Sequence, residues 1–146
     1  MSKVKNLIAG AAGAIALNVL HETLKKESDD VPRVDLLGED AVQKVLKYFG
    51  SSVPDKASLY KTTLAGDLIS NTLYYSLIGA GNQKYLWPKA VFLGLTAGIG
   101  AVKLPEPMGL DPEPVTKTDQ VKVLTVGYYI FGAIVTGLVL NLLNKK

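Results

Sequence analysis

The chain has 146 residues, 48% of them hydrophobic, a formal net charge of +3 and no cysteine. That length is read as a single integral membrane domain, residues 1–146, and the lack of thiols excludes disulfides, thiolate metal sites, cysteine nucleophiles and CxxC redox chemistry. The basic excess lies at the ends of apolar runs and not in one cluster, so it reads as a topology signal, and no nucleic-acid partner is expected.

Four apolar stretches divide the chain, at about 5–24, 62–81, 86–104 and 123–143. At about 1.5 Å of rise per residue, a run of about 20 residues matches a hydrocarbon core of about 30 Å. The predicted fold is therefore all-α, a four-helix transmembrane bundle with the lipid bilayer as its first partner.

The first stretch carries IAGAAGAIA, where Ala9, Gly10, Gly13 and Ala14 form small-xxx-small pairs of the kind that let helices approach closely in lipid. A cleaved leader is the rival reading. Its only small-x-small site, Ala14-Ile15-Ala16, lies inside the apolar run and is followed by Leu17, Val19 and Leu20, which favours a span. Asn18 and His21 follow towards its far end.

In the first connection Asp29, Asp30 and Pro32 interrupt the helical pattern, and Leu37-Gly38-Glu39-Asp40 opens a short amphipathic helix that runs to Phe49. Val42, Val45, Leu46 and Phe49 fall at i, i+3, i+4 and i+7, and Gly50 is the expected stop. Beside a membrane such a helix lies on the bilayer or caps the bundle.

The second stretch holds Asp67, about six residues inside it, with Asn71 one turn on and Tyr74 and Tyr75 beyond. Asn82-Gln83-Lys84 is a very short turn, which makes the second and third stretches an antiparallel hairpin. Tyr85 and Trp87 suit an interfacial aromatic belt and Pro88 a helix start. The third stretch contains Gly94 and Gly98, a GxxxG pair, and the fourth pairs Ala133 with Gly137. Between them LPEPMGLDPEP is read as an extended or solvated loop, because proline lacks the amide a helix interior needs. Thr118 or Asp119 is placed to cap the last helix. The small-residue faces Gly10, Gly13, Gly94, Gly98 and Gly137 imply close helix packing, within the chain or in a homo-oligomer.

Charge sorts by end. Of the 13 acidic residues, all but Asp67 lie in or beside the two long connections, whereas the termini and the short turn carry only Lys3, Lys5, Lys84, Lys89, Lys145 and Lys146. This pattern implies an even number of spans with both termini in the cytoplasm, in the cell membrane.

Asp67 is the leading functional residue, either a hydrogen-bonding tie between helices or part of an ion, proton or ligand site. Depth arithmetic brings Asn18, His21, Tyr128 and Tyr129 towards its level, and Asn71 shares its helical face. HETLK lacks the second histidine of HExxH, no other histidine exists, and no metal is assigned. P-loop and dinucleotide signatures are missing, no nucleophile elbow occurs, and no cofactor or catalytic residue is expected. The expected function is a small channel or transporter for an ion or small solute. The alternative is a non-catalytic scaffold or accessory subunit that docks a membrane protein partner through its acid-rich loops.

Overall fold

The structure is a computed structural model and describes residues 2–145. Those residues form six α-helices and no strand: α1 (Lys3–Glu27), α2 (Val34–Tyr48), α3 (Lys56–Ser76), α4 (Leu86–Lys103), α5 (Glu113–Thr116) and α6 (Asp119–Asn144). Two 3₁₀ turns, Leu77–Gly79 and Gln83–Tyr85, join α3 to α4.

Three helical segments are long and apolar enough to cross a membrane: Lys3–Glu27, Gln83–Lys103 and Asp119–Asn144. α3 has comparable length at 21 residues, but Lys61, Asp67, Asn71 and several hydroxyl side chains dilute its apolar content. Its bounds also differ from the second apolar stretch. The Asp55 side chain accepts from Ser58 N at 2.8 Å and starts the helix among polar residues, before residue 62. At the other end the regular helix stops at Ser76 and tightens into the 3₁₀ turn.

α1 packs against α3 and α6, and α6 packs against α4. All three contacts are antiparallel, as pairs along their lengths show. Lys5 Nζ donates to Leu143 O at 2.7 Å, while near the other end of α1 the His21 ring meets Tyr128 edge-on at 6.3 Å. The termini and the α3–α4 turn therefore share one end of the molecule, and the two long connections share the other. α3 and α4 are consecutive and antiparallel but do not pack along their length; α1 and α6 lie between them. Their tie is Tyr74, whose hydroxyl lies 3.0 Å from Leu93 O and 2.7 Å from Thr96 Oγ1.

Side chains are sorted inside out relative to a water-soluble bundle. Large apolar residues point outward on all four long helices: Ile8, Ile15 and Val19 on α1, Ile69 and Leu73 on α3, Phe92 and Ile99 on α4, Leu138 and Leu142 on α6. The interior holds Ala9, Ala14 and Ala133 and the polar or aromatic Asn71, Thr125, Thr136, Tyr75 and Tyr128, together with Leu17, Ile78, Leu86 and Leu140. Lipid is as apolar as leucine, so helices in lipid associate through small residues and hydrogen bonds. The alanines and hydroxyl residues of the interior fit that rule.

The predicted glycine positions sit at helix contacts inside the chain. A Cβ at Gly10 would strike Thr72 O and lie 2.9 Å from Ser76 N; one at Gly13 would overlap Thr136 Oγ1 and lie 2.5 Å from Gly132 O. At Gly98 it would lie 2.6 Å from Val126 Cα, at Gly94 3.0 Å from Ile130 Cα, and at Gly137 2.9 Å from the Trp87 ring. The faces that suggested a homo-oligomer are thus occupied by the chain's own helices.

α2 begins at Val34, earlier than the sequence pattern implies, with Asp35 in its first turn where an acid complements the helix dipole. It ends as expected: Gly50 takes φ 75°, and Gly50 N and Ser51 N return to Lys47 O and Leu46 O at 3.0 and 2.8 Å. The proline-rich segment is not extended. It turns tightly, with Gly109 at φ 76°, and closes in the one-turn α5, where Pro112 caps and Pro114 occupies the first turn, a position that needs no amide donor. Arg33 N to Pro114 O at 2.9 Å, Lys44 Nζ to Met108 O at 2.8 Å and Asp111 N to Asp40 Oδ2 at 3.1 Å fasten this segment to α2 and its entry. Thr118 Oγ1, 3.1 Å from Val121 N, is the cap of α6.

Candidate functional site

Near the end that carries the long connections, α2 lies against α1 and α3 and forms with them a partly open cavity of about 180 Å³. α1 contributes Asn18, His21 and Glu22, three residues on one helical face. α3 contributes Tyr60, Thr63, Leu64, Gly66, Asp67 and Ser70, and α2 closes the space with Val34, Asp35, Gly38 and Val42.

One wall is a charge network. Arg33 grips Asp35 with a two-pronged fork, Nε to Oδ1 at 2.9 Å and one terminal nitrogen to Oδ2 at 2.8 Å. Lys25 bridges two acids, 2.9 Å from Glu22 Oε2 and 3.4 Å from Asp35 Oδ2. The Tyr60 hydroxyl donates to Glu22 Oε1 at 2.6 Å. Burial alone would raise the Asp35 carboxyl, but the neighbouring His21 and the Arg33 fork outweigh it and hold the group well below the usual carboxylate range.

His21 sits between these acids at 2% exposure, Nε2 3.3 Å from Asp35 Oδ1 and Nδ1 3.6 Å from Glu22 Oε1. Nε2 is near enough to Asp35 for charge attraction, yet it has no hydrogen-bond partner of acceptable geometry. Thr63 Oγ1 is likewise buried without a partner.

Opposite the network stands Asp67. Asn71 donates to its Oδ1 at 2.9 Å, a neutral partner one helical turn away. Asp67 belongs to no ion pair among the described residues. The Asn18 amide donates to Ala14 O at 2.9 Å within α1.

Of the residues singled out from sequence, Asn18, His21 and Asp67 line the cavity together. Asn71 acts behind it by holding Asp67. Tyr128 lies against His21, buried, with its hydroxyl unpartnered. Tyr129 is not at the cavity; its carbonyl accepts from the Tyr75 hydroxyl at 2.8 Å in the bundle interior. Adjacent tyrosines on one helix point about 100° apart, so both could not face the same space. Sequence reasoning missed Asp35, Arg33 and Tyr60. The available signal was Pro32-Arg33-Val34-Asp35, an arginine and an acid two apart at a helix start. No group of three or more potential ligands able to hold a metal occurs among the described residues.

Comparison with protein-family models, with curated proteins and with solved structures finds no match for this chain.

Proposed function

We propose that this chain is a small four-span membrane protein that binds an ion or small solute in the Asp67 cavity and moves it across the bilayer. α3 serves as the fourth span, its polar content directed at the cavity while Ile69, Leu73 and Leu77 meet lipid. Both termini and the α3–α4 turn lie on the cytoplasmic side, where the lysines occur without acids.

The observation that carries this reading is that the cavity reaches Asp67. An acid within a membrane is costly unless paired or hydrated, and a purely structural tie would be buried against protein. Beyond Asp67, towards the lysine end, Gly10 and Gly13 bring α1 onto α3 and α6, and Tyr75 fills the space between them. This closure favours alternating exposure of one site over an open pore. The scaffold reading draws on a different feature, the exposed Val45, Tyr48 and Phe49 of α2, which offer a docking face.

Flux into proteoliposomes over a panel of ions and small solutes tests the proposal. Native protein moves at least one solute, and Asp67→Asn, which keeps the shape and can still hydrogen-bond, lowers that flux at least tenfold while the protein still folds. If nothing moves, or Asp67→Asn carries equal flux at every pH, the transport reading fails and the scaffold stands. Single cysteines at Ser2, Ser52, Thr116 and Asn144 test topology: labelling of the Ser2 and Asn144 positions from outside intact cells reverses the orientation.

A further inference from the structure

The chemistry of the cavity wall narrows the guest. Three carboxylate residues line it, Glu22, Asp35 and Asp67, and no lysine or arginine does. Glu22 and Asp35 already have cations, Lys25 and Arg33, set outside the lining. Asp67 has none. The cavity therefore favours a guest that brings one positive charge, and an anion there would face the unpaired Asp67 carboxylate.

A buried polar atom also lacks a partner. Thr63 is 6% exposed and lines the cavity, and its Oγ1 has no hydrogen bond. Buried polar atoms are nearly always paired, so unpaired ones at a cavity mark positions for a guest's hydrogen-bonding groups. The remaining wall is apolar: Val34, Val42 and Leu64, with Gly38 and Gly66 leaving room.

We infer that the cavity binds a small primary amine, its ammonium on Asp67 and its short alkyl body against Val42 and Leu64. An ammonium has three donors, and the Asp67 carboxylate and the Thr63 hydroxyl can accept from it. A quaternary ammonium has no donor and would leave Thr63 unpaired. A divalent metal finds no set of three potential ligands among the described residues. The volume of about 180 Å³ is room for a short alkyl chain. This inference rests on the cavity being a solute site, and it names the solute's class.

The test is calorimetric titration of the full chain in lipid nanodiscs with n-butylamine, 1-butanol, butyrate and tetramethylammonium. Butylamine binds saturably and at least tenfold more tightly than the other three. Asp67→Asn weakens it at least tenfold, and Thr63→Val, which keeps the volume, weakens it about threefold. Equal binding of the alcohol, the acid or tetramethylammonium overturns the inference, as does unchanged amine affinity in a folded Asp67→Asn protein. Should Asp67→Asn fail to fold, the ligand panel on the native chain decides alone. Transport can fail independently: amine binding without amine flux leaves this inference standing and removes the transport reading. Flux of a neutral or anionic solute without amine binding does the reverse.

Discussion

At the end that gathers the termini, α1 meets α3 and α6 at Gly10 and Gly13, with backbone against backbone. At the end covered by α2, the same α1 and α3 flank a partly open cavity of about 180 Å³. The difference follows the inward face of α1, which changes along its length from Gly10, Gly13 and Ala14 to Leu17, Asn18 and His21. Small residues let helices close on each other and gain dispersion contacts. Longer polar residues hold helices apart and then need partners of their own. One half of the bundle is packed for rigidity, and the other keeps space that its polar groups do not fill.

Four substitutions break or sharpen this contrast. The largest effect is expected from Gly13→Val. Its side chain would overlap Thr136 Oγ1 and press on the Gly132 carbonyl, which is backbone and cannot swing aside. Overpacking typically costs about 1–3 kcal/mol and occasionally more, and a clash with backbone belongs at the upper end, so the melting temperature in detergent should fall steeply or the cooperative transition be lost; a melting temperature within a few degrees of native would mean the helices can separate there freely.

Asp35→Asn comes next. The variant loses the charged half of the Arg33 fork, and hydrogen bonds to charged groups contribute about 1.5–3 kcal/mol. The sign of the accompanying pH effect is set by the lowered Asp35 carboxyl. Its stabilisation is complete above the ordinary carboxylate value of 3.8 and is lost as pH falls below it. Native protein should therefore melt earlier on acidification from pH 6 towards pH 3, and the variant should show a flatter profile. Parallel profiles for the two proteins would remove Asp35 from the acid response.

Tyr74→Phe removes the hydroxyl that ties α3 to Leu93 O and Thr96 of α4. Interhelical hydrogen bonds in lipid average about 0.6 kcal/mol, so a small drop in melting temperature is expected; the loss of several kcal/mol would show that this tie, and not the α1 and α6 packing, holds α3 and α4 together. The smallest effect belongs to Gly66→Ala, at the open end. A Cβ there has nothing within 4 Å, and alanine is favoured over glycine in a helix by about 1 kcal/mol or less. A slight rise in melting temperature is expected, opposite in sign to Gly13→Val on the same bundle, and a fall would mean that the cavity wall at α3 is tighter than this geometry.

Both ends were partly legible in the amino-acid order. Close packing at Gly94 and Gly98 followed from their spacing, and a shared layer for Asn18, His21 and Asp67 followed from counting residues inward from the span ends. The same arithmetic could not choose between Tyr128 and Tyr129, because depth along a helix says nothing about rotation around it. The reading of residues 104–114 as an extended or solvated loop missed α5 at its end, since proline is excluded from helix interiors but not from a first turn. The α3 boundary was also displaced: apolarity begins at residue 62, whereas the Asp55 cap begins the helix itself.

What the sequence determined by itself is what local chemistry determines: helices where apolar residues run on, a cap at the start of the last helix, a stop at Gly50, and ends sorted by charge. The tertiary structure alone decided that α1 and α6 lie between α3 and α4, that α2 folds back over His21, and that Asp35 reaches it from another helix. Those are contacts between residues distant in the chain. They depend on which inward faces fit one another in three dimensions, and no spacing within a single helix encodes that.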